Sequence, residues 1–389
     1  MAVSGWVALG RAFPAQGADA AARQAPLRAV QQLPAWLAPG APFTVSGWAG
    51  AEAPVRLLAG GRAIGRARSG KLGGFEIDAR APLRGDRYRL RLASGGRRLD
   101  LGRLLVRPLV LAAVGDVNLG DRTRDAIASH GSRHLWSGVR PLLQKADLTI
   151  ANLECAVSTG GSPVPGKLYA FRGAPGALRE VAWAGVDVVS LANNHSVDYG
   201  QGALLDTVRH ARRAGIATVG GGGDLTAARR PVRLELGGLR IAVLAYSDVR
   251  PLGFDAGEGR PGTAPAFAEL IDPDIRRAAR GADAVIVYFH WGTELSTVPD
   301  SRQKRLADIA FRAGATIVLG AHPHVLQPVQ RGGSKLVAWS LGNFVFPARS
   351  PGTTSTGVLI AHLAARGVVG ARLVPARIHG VRPTLRRWP

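Results

Sequence analysis

The chain has 389 residues, 46% of them apolar and 20% charged, so it is long enough for two domains and too apolar to be wholly disordered. Its net charge of +23 at pH 7 favours an anionic partner, but only five of its 50 basic residues are lysines, and that imbalance is also typical of GC-rich coding. The single cysteine excludes an internal disulfide framework. No run of about eighteen apolar residues occurs, so no membrane-spanning segment is expected.

Residues 1–40 are rich in Ala, Pro and Gln and show no clear periodicity, which indicates a tail or a linker. The extreme N-terminus contains a short apolar stretch followed by small residues, as a signal peptide does, but no basic segment precedes that stretch. Two interpretations stay open: a start that falls inside a signal sequence, or a frayed tail.

Residues 41–107 predict a small all-β sandwich of the immunoglobulin-like kind. Short alternating runs such as FTVSGWA, VRLLAGG and RYRLRLA are separated by Gly, Asp or Pro at close spacing, which is typical of antiparallel strands. The region holds no cluster of acidic, His or Cys residues to carry chemistry, so adhesion or spacing is its expected role.

The pattern changes at Pro108, and residues 108–380 predict an α/β domain. Apolar runs that end in polar residues alternate with helical stretches, which is typical of βαβ units with buried, largely parallel strands. The predicted helices are RHLWSGVRPLLQKA, GALREVAWAG, GALLDTVRHARRAG, PDIRRAAR and RQKRLADIAFRAG. A second strand-rich region begins at VRLELGGLRIAVLAYSD with a Gly-Gly hairpin, so we expect two sheets between helical layers. Residues 381–389 are expected to be a C-terminal tail.

Five predicted strands end in side chains that can bind a metal. These side chains are Asp116, Glu154, Asn194 with His195, His290, and His322 with His324. Because the carboxyl ends of parallel strands lie side by side, we expect them to meet at the rim of one sheet. Each residue alone has a simpler structural explanation, since Asp and Asn commonly cap helices or close turns. Four of the nine histidines at such positions favour a metal site.

The donor types restrict the metal. Carboxylate, amide and imidazole groups without a thiolate suit Mn, Fe, Zn or Co better than Ca or Mg. About six donors exceed the needs of one four-coordinate ion, so we expect two divalent transition-metal ions bridged by a carboxylate. His322 and His324 fit this arrangement if their segment is extended, because alternate side chains then lie on the same side and can serve neighbouring ions.

The motifs GDVNLG, NLECAVS, LANNHSVDYG, FHWGTE, GAHPHVLQPV and WSLGNFVF resemble, in order and spacing, those of the CapA family of poly-γ-glutamate capsule-synthesis proteins. That family is related to the calcineurin-like metallophosphoesterases. The resemblance covers about residues 109 to 348. It implies a four-layer α/β/β/α metallophosphoesterase-like sandwich, preceded by the small β-sandwich that it does not cover.

The resemblance also implies a set of metal ligands. They are Asp116 and His324 for the first ion, Glu154 as the bridge, and Asn194, His290 and His322 for the second ion. Asn118 stands where the phosphoesterases have a histidine, which weakens or removes one ligand there.

A proton donor is implied in the same way. His195 matches the histidine that protonates a leaving group, and Asp198 is placed three residues later to orient its imidazole. No Ser-His-Asp arrangement is evident from local motifs, so a nucleophilic side chain is not expected.

Two function hypotheses stay open. The first is a binuclear-metal hydrolase that uses metal-activated water on a phosphoester or an acidic polymer. The second is a non-catalytic component of a capsule or envelope machine, such as a membrane-bound polymer synthase complex, in which the metal organises a surface that binds an anionic polymer. Nucleic acid is disfavoured as a partner, because only the net charge supports that hypothesis. Both hypotheses imply an extracellular or cell-envelope location.

Overall fold

The computed structural model describes residues 26–30 and 32–386. These residues form two compact units. The first extends to Pro108 and includes Gly237–Leu239, and the second comprises Leu109–Leu236 and continues from Arg240. The predicted signal remnant lies outside the described residues, as do the last three residues of the predicted C-terminal tail.

The first unit is built from strands. They are β1 (Arg28–Ala29), β2 (Trp36–Leu37), β3 (Pro42–Trp48), β4 (Pro54–Ala59), β5 (Arg62–Arg68), β6 (Gly74–Arg80), β7 (Asp86–Ser94) and β8 (Arg97–Val106). They form a three-stranded sheet in the order β1-β3-β6 and a five-stranded sheet in the order β2-β8-β7-β4-β5. Alternate residues of the strands point inward and share one core, which includes Val45, Leu57, Ile77 and Leu92.

The β structure begins before the predicted boundary at residue 41. β1 pairs with β3 and β2 pairs with β8, so part of the stretch for which composition predicts a tail belongs to the sheets. Strands of two residues are too short to produce a periodic pattern, and the sequence therefore gives no signal for them.

The second unit contains the remaining strands. They are β9 (Leu109–Val117), β10 (Leu148–Leu153), β11 (Ala156–Val157), β12 (Arg172–Gly173), β13 (Val188–Ser190), β14 (Ala217–Val219), β15 (Gly221–Gly222), β16 (Val232–Leu236), β17 (Leu239–Ser247), β18 (Gly262–Thr263), β19 (Ala284–His290), β20 (Ile317–Ala321), β21 (Val329–Gly332), β22 (Lys335–Ala338), β23 (Asn343–Val345), β24 (Ser355–Ala364), β25 (Gly367–His379) and β26 (Arg382–Leu385).

The helices of this unit lie between the strands. They are α1 (Asp121–His130), α2 (Arg140–Leu143), α3 (Ala177–Ala184), α4 (Gln201–Arg213), α5 (Leu225–Ala228), α6 (Ala268–Ala279), α7 (Ser301–Ala313) and α8 (Pro351–Thr354), with a 3₁₀ turn at Ser132–Leu135.

Two large sheets organise the second unit. The first has the order β14-β13-β10-β9-β24-β25-β26, with β23 beside the end of β9, and the second has the order β16-β17-β19-β20-β22-β21. β9, β10 and β13 run parallel in the first sheet, as do β17, β19 and β20 in the second. β24 pairs antiparallel with the other edge of β9. The sheets face each other, since the hydroxyl of Tyr288 in β19 donates to the carbonyl of Val114 in β9 at 2.8 Å.

Helices cover the outer faces of both sheets. Leu178 of α3 packs in one core with β13 and β10, and Ile275 of α6 and Leu306 of α7 pack in a second core with Val287 of β19. Coverage on both faces explains why these strands are continuous apolar runs. The mixed α/β class and the strand-rich N-terminal region predicted from the sequence are confirmed.

Several predicted elements differ in detail. The stretch 133–146 is not one helix, because Gly138 and Pro141 break it into a 3₁₀ turn and the short α2. α6 begins at Ala268, so Pro273 lies inside the helix and not at its start. α1 was not predicted. β26 pairs with β25 where a tail is expected, so the sheet continues to Leu385.

Candidate metal centre

The candidate centre lies where parallel strands of the second unit end. Asp116 is near the end of β9, Glu154 follows β10, His290 ends β19 and His322 follows β20. The predicted ligands do come together, but from two sheets and not from the rim of one. The sheets face each other with these strand ends on the same side, and a sequence pattern cannot distinguish that arrangement from a single rim.

The carboxylate of Asp116 is fully buried and held by several groups. Asn152 Nδ2 donates to Oδ1 at 2.8 Å, and the backbone N–H of His322 donates to Oδ2 at 3.3 Å. His324 Nδ1 lies 3.4 Å from Oδ2. Burial alone would raise the pKa of Asp116, but the hydrogen bond and the charge of His324 outweigh burial and lower the pKa. The side chain of Asp116 is therefore an ionised carboxylate, the form that binds a metal.

Glu154 is fully buried, and neither of its carboxylate oxygens has a hydrogen-bond donor. Oε1 lies 3.3 Å from His290 Nε2, which is a close contact without hydrogen-bond geometry. Burial, and then the charge of Asp116, raise the pKa of Glu154 to about 8. A buried carboxyl without a donor destabilises the fold, and a neighbouring cation offsets that cost.

Two of the histidines are buried and neutral. Burial lowers the pKa of His290 to about 3 and that of His322 to about 2. Neutral imidazole is the form that binds a metal, and Nδ1 of His322 has no hydrogen-bond partner. These rings are therefore suited to act as ligands.

His324 has the opposite electrostatics. Burial would lower its pKa, but the charges and hydrogen bonds of its neighbours, chiefly Glu154 and Asp116, outweigh burial and raise the pKa to about 10. Its imidazole therefore lies beside two acidic side chains of the centre, Asp116 and Glu154.

The backbone at His322 and His324 is left-handed. Their φ angles are 96° and 57°, a region that costs a non-glycine residue about 1–3 kcal/mol. The segment is therefore not extended, and the expectation that strand alternation brings the two rings to one side is wrong. The twisted backbone brings the rings together, with centroids 4.8 Å apart for His290 and His322 and 5.9 Å apart for His322 and His324. The carbonyl of Pro323 accepts a hydrogen bond from the N–H of Leu295 at 2.8 Å, which anchors the twist.

Within the described residues, three groups of possible ligands have their ligand atoms within 4.8 Å of one another. They are Glu154 with His290 and His322, Asp116 with Glu154 and His324, and Glu294 with His322 and His324. Shared members make these groups one continuous cluster. Glu294 is exposed at its edge, and it was not predicted as a ligand although it lies in the FHWGTE motif.

Asn194 and His195 lie in the loop after β13. Asn194 Oδ1 is 2.8 Å from His290 Nε2, which places it in the cluster. His195 Nδ1 is 2.7 Å from Asp198 Oδ2, and its ring stacks on Phe171 with centroids 4.3 Å apart. Asp198 thus holds the Nδ1 edge of the His195 ring and Phe171 packs on its face, while Nε2 points away from Asp198.

Lys167 reaches the same loop from the segment between β11 and β12. Its Nζ forms an ion pair with Asp198, donates to the carbonyl of Asn194, and lies 3.1 Å from His195 Nδ1. Burial lowers the pKa of Lys167 although the charge of Asp198 opposes it. This residue was not predicted from the sequence. The available signal was its type, since lysine is rare among the basic residues of this chain.

Two further asparagines were missed. Asn152 Nδ2 lies 3.3 Å from His290 Nδ1, and Asn343 Oδ1 lies 2.8 Å from His324 Nδ1. Both therefore contact a ring that can bind a metal. Asn152 precedes Glu154 by two residues, so strand alternation could have identified it. Asn343 begins β23, and its contact with His324 has no local signal in the sequence.

Asn118 lies near the centre but is engaged elsewhere. Its Oδ1 accepts a hydrogen bond from the backbone N–H of Gly120 at 2.8 Å, and its Nδ2 is buried without a partner. It belongs to none of the ligand groups defined above.

The model of the family described as "Bacterial capsule synthesis protein PGA_cap" matches residues 110–348. That match covers more than half of the chain and all of the cluster. The chain belongs to this family. The resemblance to CapA carried by the six motifs is thereby confirmed, and the strands of the first unit lie outside the match.

Known relatives of this family member are similar over most of their length. The "PGA biosynthesis protein CapA" of Bacillus subtilis is 30% identical over 272 residues, which is 69% of this chain and 72% of that protein. The "Capsule biosynthesis protein CapA" of Bacillus anthracis is 29% identical over 282 residues, 71% of this chain and 69% of that protein.

Among solved structures, a 5′-nucleotidase precursor from Thermus thermophilus aligns with a TM-score of 0.40 and 14% identity. The alignment covers 71% of this chain and 54% of that one. A similarity of this size supports no argument about activity. None of the helices in the described part of the chain has the length and apolarity needed to cross a membrane.

Proposed function

We propose that this PGA_cap family member is a metal-dependent hydrolase that acts on a phosphoester or an acidic polymer. In this proposal, residues 108–380 form a four-layer α/β/β/α metallophosphoesterase-like domain, and the strands before it form a separate immunoglobulin-like module. The observation that carries the proposal is that two of the proposed ligand groups, the carboxylate of Glu154 and Nδ1 of His322, are buried without a hydrogen-bond partner. Such groups are rare in protein interiors, and a bound cation would satisfy both.

The donor set fits divalent transition-metal ions such as Mn, Fe, Zn or Co. Cys155 adds no thiolate, because burial raises the pKa of its thiol to about 12. The residues proposed to hold two ions are Asp116, Glu154, Asn194, His290, His322 and His324, with Glu154 as the bridge. When bound, such ions supply Lewis acidity and an activated water.

His195 is the proposed proton donor to the leaving group. Asp198 Oδ2 lies 2.7 Å from His195 Nδ1, so it fixes the orientation of the ring and leaves Nε2 as the nitrogen that can reach a substrate. The N–H of Phe171 donates to Asp198 Oδ2 at 2.7 Å, and Lys167 pairs with its other oxygen. Asp198 is thereby fixed before a substrate arrives.

The proposed setting is the synthesis of an anionic envelope polymer such as poly-γ-glutamate. The names of the two relatives and the net charge of +23 support it. Action on such a polymer implies a location outside the cell or in its envelope, beside a membrane-bound synthase complex.

Two measurements test the hydrolase proposal together. Elemental analysis of Mn²⁺-loaded and desalted protein should give two equivalents per chain, and the same protein should hydrolyse a chromogenic phosphodiester. His195→Ala should retain the metal and lose turnover. His379→Ala is the control, because His379 is exposed at the end of β25. Turnover by His195→Ala at the parent rate would refute the role of His195, and a parent protein without metal would refute the centre.

A non-catalytic role is the second candidate, and Asn118 favours it. Asn118 stands where the phosphoesterases have a histidine, and its Oδ1 accepts a hydrogen bond from the N–H of Gly120 in the same turn. In this alternative the ions only organise a surface that binds an anionic polymer. It predicts that metal removal abolishes polymer binding and that the loaded protein hydrolyses nothing.

A further inference from the structure

The outer face of the five-stranded sheet in the first unit is strongly cationic. Its outward positions carry one aspartate, Asp100, which pairs with Arg89. The arginines at outward, exposed or half-exposed positions of β4, β5, β7 and β8 are Arg56, Arg66, Arg68, Arg87, Arg89, Arg91, Arg98 and Arg103. We refer to these residues as the arginine face.

Strand register places like charges opposite each other on this face. Arg56 stands opposite Arg66, and Arg89 stands opposite Arg103. Like charges in directly opposite positions destabilise a sheet. A single aspartate cannot neutralise eight guanidinium groups, so the counter-charge that relieves this repulsion must come from outside the sheet.

Coding bias does not explain the arrangement. A general excess of arginine would enrich both outer faces of this small unit alike. The outer face of the three-stranded sheet instead presents Glu76 and Asp78 beside Arg80 on β6, and Asp78 accepts a hydrogen bond from Thr44 at 2.9 Å. The two faces therefore differ in charge within one unit, which shows that the arginines are arranged and not merely abundant.

The face suits a polymer with repeated negative charges. Neighbouring strands lie about 4.8 Å apart and outward residues of one strand about 6–7 Å apart, so the backbone attaches the arginines at regular intervals. Guanidinium groups bind carboxylates and phosphates in bidentate geometry, and the anionic polymer of the proposed function carries carboxylates. The outward positions of β4, β5, β7 and β8, all of them described, carry no aromatic side chain on which bases could stack. This argues against single-stranded nucleic acid.

We propose that the arginine face binds a polymer with regularly spaced carboxylates, and that it does so without the metal centre. The inference adds a polymer-binding surface to the proposed function and rests on it only for the presence of such a polymer near the protein. Hydrolysis at the centre and binding at the face are separate properties of the chain.

The test uses the full chain stripped of metal with EDTA and fluorescein-labelled poly-γ-glutamate, measured by fluorescence anisotropy at several salt concentrations. We expect binding that survives metal removal and weakens steeply with salt. The triple variant Arg56→Gln, Arg66→Gln and Arg103→Gln should bind about tenfold more weakly, the loss expected from three exposed charge contacts.

A matched control makes the same change of charge in the second unit. Arg179, Arg212 and Arg213 are exposed on α3 and α4, and their triple replacement by Gln should leave affinity unchanged. Equal weakening by the two triple variants would overturn the proposal in favour of net charge alone. Tighter binding of single-stranded DNA of matched charge, or of anionic vesicles, would overturn the polymer class. Loss of binding on metal removal would overturn the independence of the face, whereas failure to hydrolyse a phosphodiester would touch only the proposed function.

Discussion

The arginine face and the metal centre use charge in opposite ways. The arginines are exposed, where water and salt screen each charge over about 8–10 Å and a single contact contributes about 1 kcal/mol or less. The carboxylates and imidazoles of the centre are buried, and burial there moves the pKa of Glu154 to about 8 and that of His322 to about 2. The face therefore acts through the number of its charges, and the centre acts through the position of each one.

The largest effect should follow from a change to one buried ligand of the centre. Glu154→Gln keeps the shape and removes the bridge, so we expect metal affinity to fall by more than about 100-fold, because even residues that only orient a ligand contribute about 10–100-fold. Titration of metal-free protein with Mn²⁺ measures it. The exposed Glu258→Gln is the control.

The same variant tests the electrostatics of the metal-free centre. Glu154→Gln removes a buried carboxyl that lacks a donor, so the melting temperature of metal-free protein should stay the same or rise. A lower melting temperature would show that Glu154 stabilises the fold without a cation.

The next effect tests whether the stability of the first unit and the metal content of the centre are independent. Leu57 is completely buried in the core of the first unit, and Leu57→Ala should lower the free energy of unfolding by about 2–5 kcal/mol. Chemical denaturation measures this, and elemental analysis should find the metal content unchanged. Leu83 is 63% exposed, so Leu83→Ala is the control. Loss of metal in Leu57→Ala would contradict a separate centre.

A smaller effect is expected at Lys167, which contacts the centre only through the loop after β13. Lys167→Met should lower kcat about 10–100-fold, as other orienting residues do, and leave the metal content unchanged. Lys167→Arg should restore part of the activity, which a purely structural loss would not allow. Lys71→Met changes an exposed lysine of the first unit and is the control. Loss of metal from Lys167→Met would assign Lys167 to the ligand shell.

The smallest effect should come from one charge of the arginine face. Arg56 stands opposite Arg66, so Arg56→Gln should stabilise polymer-free protein by about 0.2–1 kcal/mol through the loss of like-charge repulsion. Thermal unfolding at low salt measures it, and Arg84→Gln, in an exposed turn, should have no effect. A destabilised Arg56→Gln would show that the face is not under repulsion.

Much of the fold follows from local patterns in the sequence. β3 to β8 appear where alternating runs predict them, and the buried strands of the second unit appear where continuous apolar runs predict them, because period and burial are local properties of a strand. β1 and β2 are too short to carry a pattern, and α1 lacks a continuous apolar stripe. Pro273 misled the prediction of α6, since proline is more common at a helix start than inside a helix.

The candidate centre was predictable in its members but not in its geometry. Asp116, Glu154 and His290 follow apolar strands, and strand ends can be located from sequence. The left-handed conformations of His322 and His324 cannot be located in this way, because a positive φ is uncommon even at histidine and depends here on the contacts of the folded chain. The contribution of two sheets and the approach of Lys167 depend on contacts between distant segments, which a single sequence does not record.

The most direct test of the central claim is a crystal grown with Mn²⁺ and measured for anomalous scattering. The account predicts two anomalous peaks about 3.5–4 Å apart, both beside Glu154 and surrounded by the rings of His290, His322 and His324. No peak at these residues, or peaks only elsewhere on the protein, would contradict it.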